Sequence, residues 1–161
     1  MFRHSAARPR ITRVAFTVIE LVVVLLIMGI VAAAAAPTFY RSLLHHQLES
    51  AARRVKIDLE QLQHTARVKS RGQSVTFDGA AYTLSTDVVD LDHPGAVYSV
   101  DLAASPYELE SVSIDFGGGA TIAFDGYGAA QQDAAIVLGL GGQTRTVTLE
   151  SSTGQVSVTN P

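Results

Sequence analysis

The chain has no cysteine and no tryptophan, and aromatic residues make up 7% of its 161 positions. Without cysteine there is no disulfide scaffold, no thiolate zinc site and no cysteine nucleophile. A fold that forms outside the cytoplasm must then stand on its core alone. Charged residues are sparse at 17%, against 47% apolar, and a composition that apolar excludes intrinsic disorder. Lysine and arginine nearly vanish after residue 72. Residues 73–161 hold eleven Asp/Glu and one base, Arg145, for a net of −10. A surface of that sign repels polyanions, so nucleic-acid binding by this part is disfavoured.

What is present is unevenly spread. From Leu21 to Ala36 the chain reads LVVVLLIMGIVAAAAA, without one polar side chain. Extended back to Phe16, the run is interrupted only by Thr17 and Glu20. As a helix it spans about 31 Å, the thickness of a bilayer's hydrocarbon layer. Ahead of it lie Arg3, Arg8, Arg10 and Arg13 with no acid. Such a basic flank stays on the cytoplasmic side and leaves the remainder outside. An ordinary cleaved secretory signal is the rival reading, because Ala34-Ala35-Ala36 fits an A-x-A cleavage site. Against it stand Glu20 within the apolar stretch and Pro37 just after the cut.

The helix is expected to continue past the apolar run. Tyr40, Leu44, Leu48, Ala51, Val55, Leu59, Leu62 and Ala66 recur at steps of three and four, which makes one apolar stripe. Arg41, Glu49, Arg53, Arg54, Lys56, Asp58, Glu60, Arg67 and Lys69 fall between them and read as a solvated face. Residues 38–72 carry seven Lys/Arg and three Asp/Glu, a net of +4. Pro37 removes a backbone hydrogen bond and should kink or loosen the helix, and Gly29 is a second weak point. Ser70-Arg71-Gly72 is the expected stop, with the glycine just past the end.

After Gly72 the period shortens. Strands are expected at Ser74–Phe77, Ala81–Leu84, Ala96–Val100, Glu108–Ile114, Ala120–Phe124, Ala134–Leu140, Arg145–Leu149 and Gln155–Thr159, with Asp78-Gly79 as a hairpin turn. The expected fold class is α+β: a long N-terminal helix, transmembrane and then amphipathic, packed on a C-terminal antiparallel β-sheet or sandwich head. The expected division is 1–15 leader, 16–36 transmembrane half of the helix, 37–72 amphipathic half, and 73–161 globular head.

The junction of leader and apolar run carries the functional signal. Phe16-Thr17-Val18-Ile19-Glu20-Leu21 after a basic leader resembles the class III signal of type IV pilins and of type II secretion pseudopilins. Phe124-Asp125-Gly126-Tyr127-Gly128, with Arg145–Leu149 and Thr153-Gly154-Gln155-Val156, resembles the head of the GspH/FimT-type minor pseudopilins. The resemblance implies cleavage by a prepilin peptidase between Ala15 and Phe16, and N-methylation of Phe16. The chain has alanine at 15 where the family usually has glycine. Gly29 and Pro37 stand where members often carry a helix-loosening glycine and proline.

The resemblance further implies other pilins or pseudopilins and an inner-membrane assembly platform as partners. It implies a single-pass inner-membrane protein whose head is periplasmic and which enters a periplasmic pseudopilus. A minor pilin of a type IV pilus, acting in priming or DNA uptake, is the alternative. DNA uptake would need bases on the head, where Arg145 stands alone. A carboxylate near a bilayer's centre costs about 2.5–3.5 kcal/mol, less near an interface, so Glu20 needs a partner. The cationic amine of a freed Phe16, four residues away on the same helix face, is one. The amine of a neighbouring subunit is the one that the resemblance implies.

Other chemistry has little footing. Asp87, Asp90 and Asp92 offer closely spaced oxygens of the kind Ca²⁺ takes, but the loop lacks the twelve-residue EF-hand pattern and reads as a solvated acidic loop. His93 is the head's only histidine, and no nucleophile-elbow motif accompanies it. No catalytic residue and no cofactor is expected.

Overall fold

The computed structural model describes residues 16–85, 87–90 and 94–159, and only the backbone at 36 and 37. The leader and Ala15 lie outside them. One helix, α1 (Val18–Lys69), is followed by eight strands: β1 (Gln73–Asp78), β2 (Ala81–Leu84), β3 (Ser99–Asp101), β4 (Ser111–Asp115), β5 (Thr121–Phe124), β6 (Ala134–Leu140), β7 (Gln143–Leu149) and β8 (Val156–Thr159). The chain divides into two compact units, one ending at Phe39 and the other Tyr40–Pro161.

The helix runs on through Pro37. It stops by a Schellman arrangement one residue past Lys69. Ser70 takes the left-handed conformation (φ 48°). Its amide donates to the Arg67 carbonyl, and the Arg71 amide to that of Ala66, at 3.3 and 3.2 Å. The residue past the end that turns left-handed is thus Ser70, and Gly72 begins the approach to β1. The sequence favoured the glycine because glycine adopts this conformation without strain.

In the second unit the strands form two antiparallel four-stranded sheets, ordered β3-β2-β1-β5 and β4-β6-β7-β8. Strand alternation sets which face of each sheet is buried. Val75 and Phe77, Tyr82 and Leu84, and Ile122 and Phe124 point inward from the first sheet. Ile136, Leu138, Leu140, Val147, Leu149 and Val156 do so from the second. They join the helix stripe Leu48, Ala51, Ala52, Val55, Leu59, Leu62 and Ala66 in one hydrophobic cluster. Leu44 is only partly buried, and Tyr40, expected on this stripe, is exposed. The β6–β7 hairpin closes on Gly141 and Gly142, both at positive φ (58° and 75°), as a two-residue type I′ turn requires.

All eight expected strands are present, with two shifts. The strand expected at Ala96–Val100 is reduced to Ser99–Asp101, and the one expected at Glu108–Ile114 begins only at Ser111. Glu108 itself sits at φ 54° in the preceding turn.

Three buried polar side chains, Asp58 and Gln63 of the helix and Arg145 of β7, tie the helix to the strands and their loops. Asp58, read as part of the solvated face, is 3% exposed. Its carboxylate accepts hydrogen bonds from the Tyr82 hydroxyl at 2.5 Å and the Tyr98 hydroxyl at 3.0 Å, and lies 3.3 Å from the Arg54 guanidinium. Gln63, also buried, donates from Nε2 to the carbonyls of Gly128 (2.9 Å) and Gly154 (3.0 Å). These are the glycines of the FDGYG and TG segments. A Cβ on Gly128 would lie 2.9 Å from the Gln63 carbonyl, so the turn closes on the helix only with glycine there. Arg145, the head's one base, is buried and lies 3.3 Å from Glu49 and 3.2 Å from Nδ1 of His45.

Burial first, and then the Asp58 carboxylate, pushes the Tyr82 hydroxyl far above its ordinary value and the Tyr98 hydroxyl from 10 up to about 12. Both hydroxyls therefore hold their protons in the folded chain where the unfolded chain has lost them. Stability from this node is whole below pH 10 and falls as pH rises toward about 12. Replacing Tyr82→Phe removes one hydrogen bond to a buried carboxylate and should cost about 2 kcal/mol in urea unfolding at pH 7. The variant should also lose less stability than the parent between pH 10 and 12.

Candidate functional site

The start of α1 is the place to which the sequence assigns function. Thr17 precedes the first helical residue and acts as its N-cap. Its Oγ1 accepts from the Glu20 amide at 3.3 Å, and its carbonyl accepts from the Leu21 amide at 3.2 Å. Thr17-Val18-Ile19-Glu20 thus has the spacing of a capping box, in which threonine satisfies an amide that the helix leaves free. Glu20 lies in the first turn, where the helix dipole favours a negative charge. The sequence reading singled out Glu20 and passed over Thr17, although a threonine three residues before an acid ahead of an apolar run is a recognisable cap signal.

Beyond this turn, every side chain described from Leu21 to Ala35 is exposed. Phe16 is 72% exposed. The helix has a window of mean hydropathy 2.8, none of it buried within the chain, and it is long and apolar enough to cross a membrane. Each fully exposed valine, leucine or isoleucine forgoes about 1.5–3 kcal/mol of burial. A run of them is stable only in lipid or against other apolar helices. Glu20 is the one charged group in this surface.

No protein-family model matches the chain, and no curated protein does. Two solved structures do, both of the type IV minor pilin FimU of Pseudomonas aeruginosa, in different crystal forms. Each superposes with a TM-score of 0.52. They are 13% and 15% identical, over 71% and 70% of this chain and 90% and 92% of theirs. The fold is pilin-like. At this identity the likeness is one of fold alone.

The remaining expected site residues are dispersed. Gly29 lies mid-helix, and a Cβ there would meet nothing within 4 Å. Pro37 is within the helix, and its side chain is not described. Asp87 is far along the chain from them and already occupied. Its carboxylate accepts from Gln73 Nε2 at 2.8 Å and from Lys69 Nζ at 3.1 Å, with Arg71 at 3.9 Å. The Gln73 and Lys69 hydrogen bonds hold its pKa below the ordinary 3.8. Asp87 therefore fastens the loop to the end of α1. Asp90 lies in the same loop, and Asp92 and His93 lie outside the described residues. Among the described residues no three His, Asp or Glu side chains converge on a metal position.

Gly29 is the clearest handle on this pilin-like helix. Gly29→Ala meets no steric obstacle and should strengthen the helix by about 1 kcal/mol. If assembly uses a local loosening at Gly29, the variant will insert in membranes normally yet give fewer assembled subunits. Equal yields of crosslinked oligomer from parent and variant would show that no loosening is used there.

Proposed function

We propose that the chain is a structural subunit of a pilin-type filament, a minor pseudopilin of a type II secretion pseudopilus. A prepilin peptidase removes residues 1–15, Phe16 becomes the methylated first residue, and the apolar helix is retained as the assembly element. The head is periplasmic, and other pseudopilins and an inner-membrane platform are the partners. The observation that carries this reading is the uncovered apolar half of α1, headed by a lone carboxylate and leading into a pilin-like head. A second reading, a minor pilin of a type IV pilus, is favoured by the two structural neighbours, which are type IV minor pilins.

In this reading the work is assembly. The helix is anchored in the bilayer until it is drawn out, and its loss of lipid contact is offset by packing among like helices. Glu20 pairs with the N-terminal amine of a neighbouring subunit and sets the register. An ion pair in so apolar a setting is strongly position-dependent, because either charge left alone is costly.

Two measurements test the proposal. Mass spectrometry of the protein from its native membrane should find Phe16, methylated, at the N-terminus. A chain beginning at Pro37 would establish the secretory alternative instead. Glu20→Ala should be processed and remain membrane-bound but crosslink to partner pilins at a small fraction of the parent level. Undiminished crosslinking would refute the pairing.

A further inference from the structure

Among the described residues, the outward side of α1 within the second unit has no partner. Leu43, His46, Ser50, Ile57, Gln61, His64 and Val68 recur at steps of three, four and seven, all exposed, on the side opposite the buried stripe. Ile57 is 56% and Val68 69% exposed. None of the seven carries a carboxylate, lysine or arginine. Arg53, Lys56 and Arg67 flank this seam. Among the described residues Arg53 and Lys56 pair only with Glu49 and Glu60 of their own helix, at 3.0 and 3.7 Å, and Arg67 donates from Nε to the Tyr127 carbonyl at 3.1 Å. Exposed pairs of this kind contribute little and exchange readily for better partners.

The sheet on the far side of the core presents the opposite chemistry. Asp115, Ala135, Thr148 and Ser157 lie side by side across β4, β6, β7 and β8. All four belong to the outward alternation of their strands, because Ile136, Val147, Leu149 and Val156 point into the core. A groove of about 600 Å³ opens along this row, and Asp133 and Glu150 complete its rim. Residues 73–161 hold no lysine or arginine to neutralise it except Arg145, which is buried on the other side against Glu49.

These two faces share one core and look away from each other, so they cannot meet within a chain. Resting on the filament reading above, we infer that the outward face of α1 in one copy docks on the acidic sheet face of a second copy. Arg53, Lys56 and Arg67 of the first lie along Asp115, Asp133 and Glu150 of the second, and Ile57 and Val68 are covered. The occupant follows from sign and shape. Beside this helix face Arg53, Lys56 and Arg67 outnumber Glu49 and Glu60, whereas the groove carries Asp115, Asp133 and Glu150 with no lysine or arginine. Charge of opposite sign steers such an encounter and fixes its register. The two patches differ, so the contact is head-to-tail. A head-to-tail contact whose rotation does not close repeats along an open helix of subunits, as the filament reading requires.

The absence of cysteine makes the test clean. Full-length chains carrying Asp115→Cys under one tag and Lys56→Cys under another are co-expressed, and their membranes are treated with a short bis-maleimide. A mixed-tag dimer is expected, and none from Asp115→Cys alone. Adding Asp133→Lys and Glu150→Lys to the groove copy should lower the yield roughly tenfold, and adding Arg53→Glu and Arg67→Glu to the helix copy should restore it. No mixed dimer, a yield indifferent to the reversals, or capture of a different protein in its place would each overturn the inference. A Leu25→Cys pair in the apolar helices reports separately on assembly. If it crosslinks and the groove pair does not, the filament reading stands and this contact falls. If neither crosslinks, the filament reading itself has failed.

Discussion

One helix has to satisfy two different surroundings, and the rest of the molecule follows from that. Its second half completes the head. Without Leu48, Val55, Leu59 and Leu62, the two small sheets would have no third wall, and their inward faces would be open to water. Its first half offers apolar side chains all round, and none of the described residues covers it. A segment uniformly apolar on every side is a segment for lipid or for a bundle, whereas a one-sided stripe belongs to a soluble domain. The change from one pattern to the other, near Tyr40, is where the chain divides.

The buried polar groups complement this design. A smooth apolar helix laid on two sheets could slide or rotate. Asp58, Gln63 and Arg145 prevent that, because each is satisfied only in one placement. Asp58 needs both tyrosines of the first sheet's β2 side, Gln63 needs two loop carbonyls, and Arg145 reaches back from β7 to Glu49. Breaking any of them leaves a desolvated group without a partner, which is costlier than the net gain of making the bond.

Much of this was legible in advance. The apolar run, the stripe, the eight strand segments and the glycine turns all follow from periodicity and composition, which local physics governs. Asp58 was read as solvated because it falls between the stripe residues Val55 and Leu59, with the other charged residues of the helix. Nothing local announces that Tyr82 and Tyr98, distant in sequence, will arrive to receive it. Ser70 was missed as the left-handed residue because a glycine stood two positions later and drew the assignment. Thr17 was passed over because the more unusual feature, a carboxylate in an apolar run, stood three residues on. At the N-terminus the sequence shows which groups are unsatisfied, and none of the described residues covers them.

The seclusion of Arg145 has a consequence for how the head behaves near lipid. With the one Lys or Arg of residues 73–161 turned inward against Glu49, the strands and their loops show no cation of that kind, and the exposed bases of the domain, Arg53 and Arg71 among them, all stand on α1 or at its end. An anionic leaflet attracts bases with about 1 kcal/mol apiece, and a surface stripped of them feels only the opposing force. Any attraction of this domain to an anionic lipid surface therefore falls to its α1 side, and the strands contribute none of it.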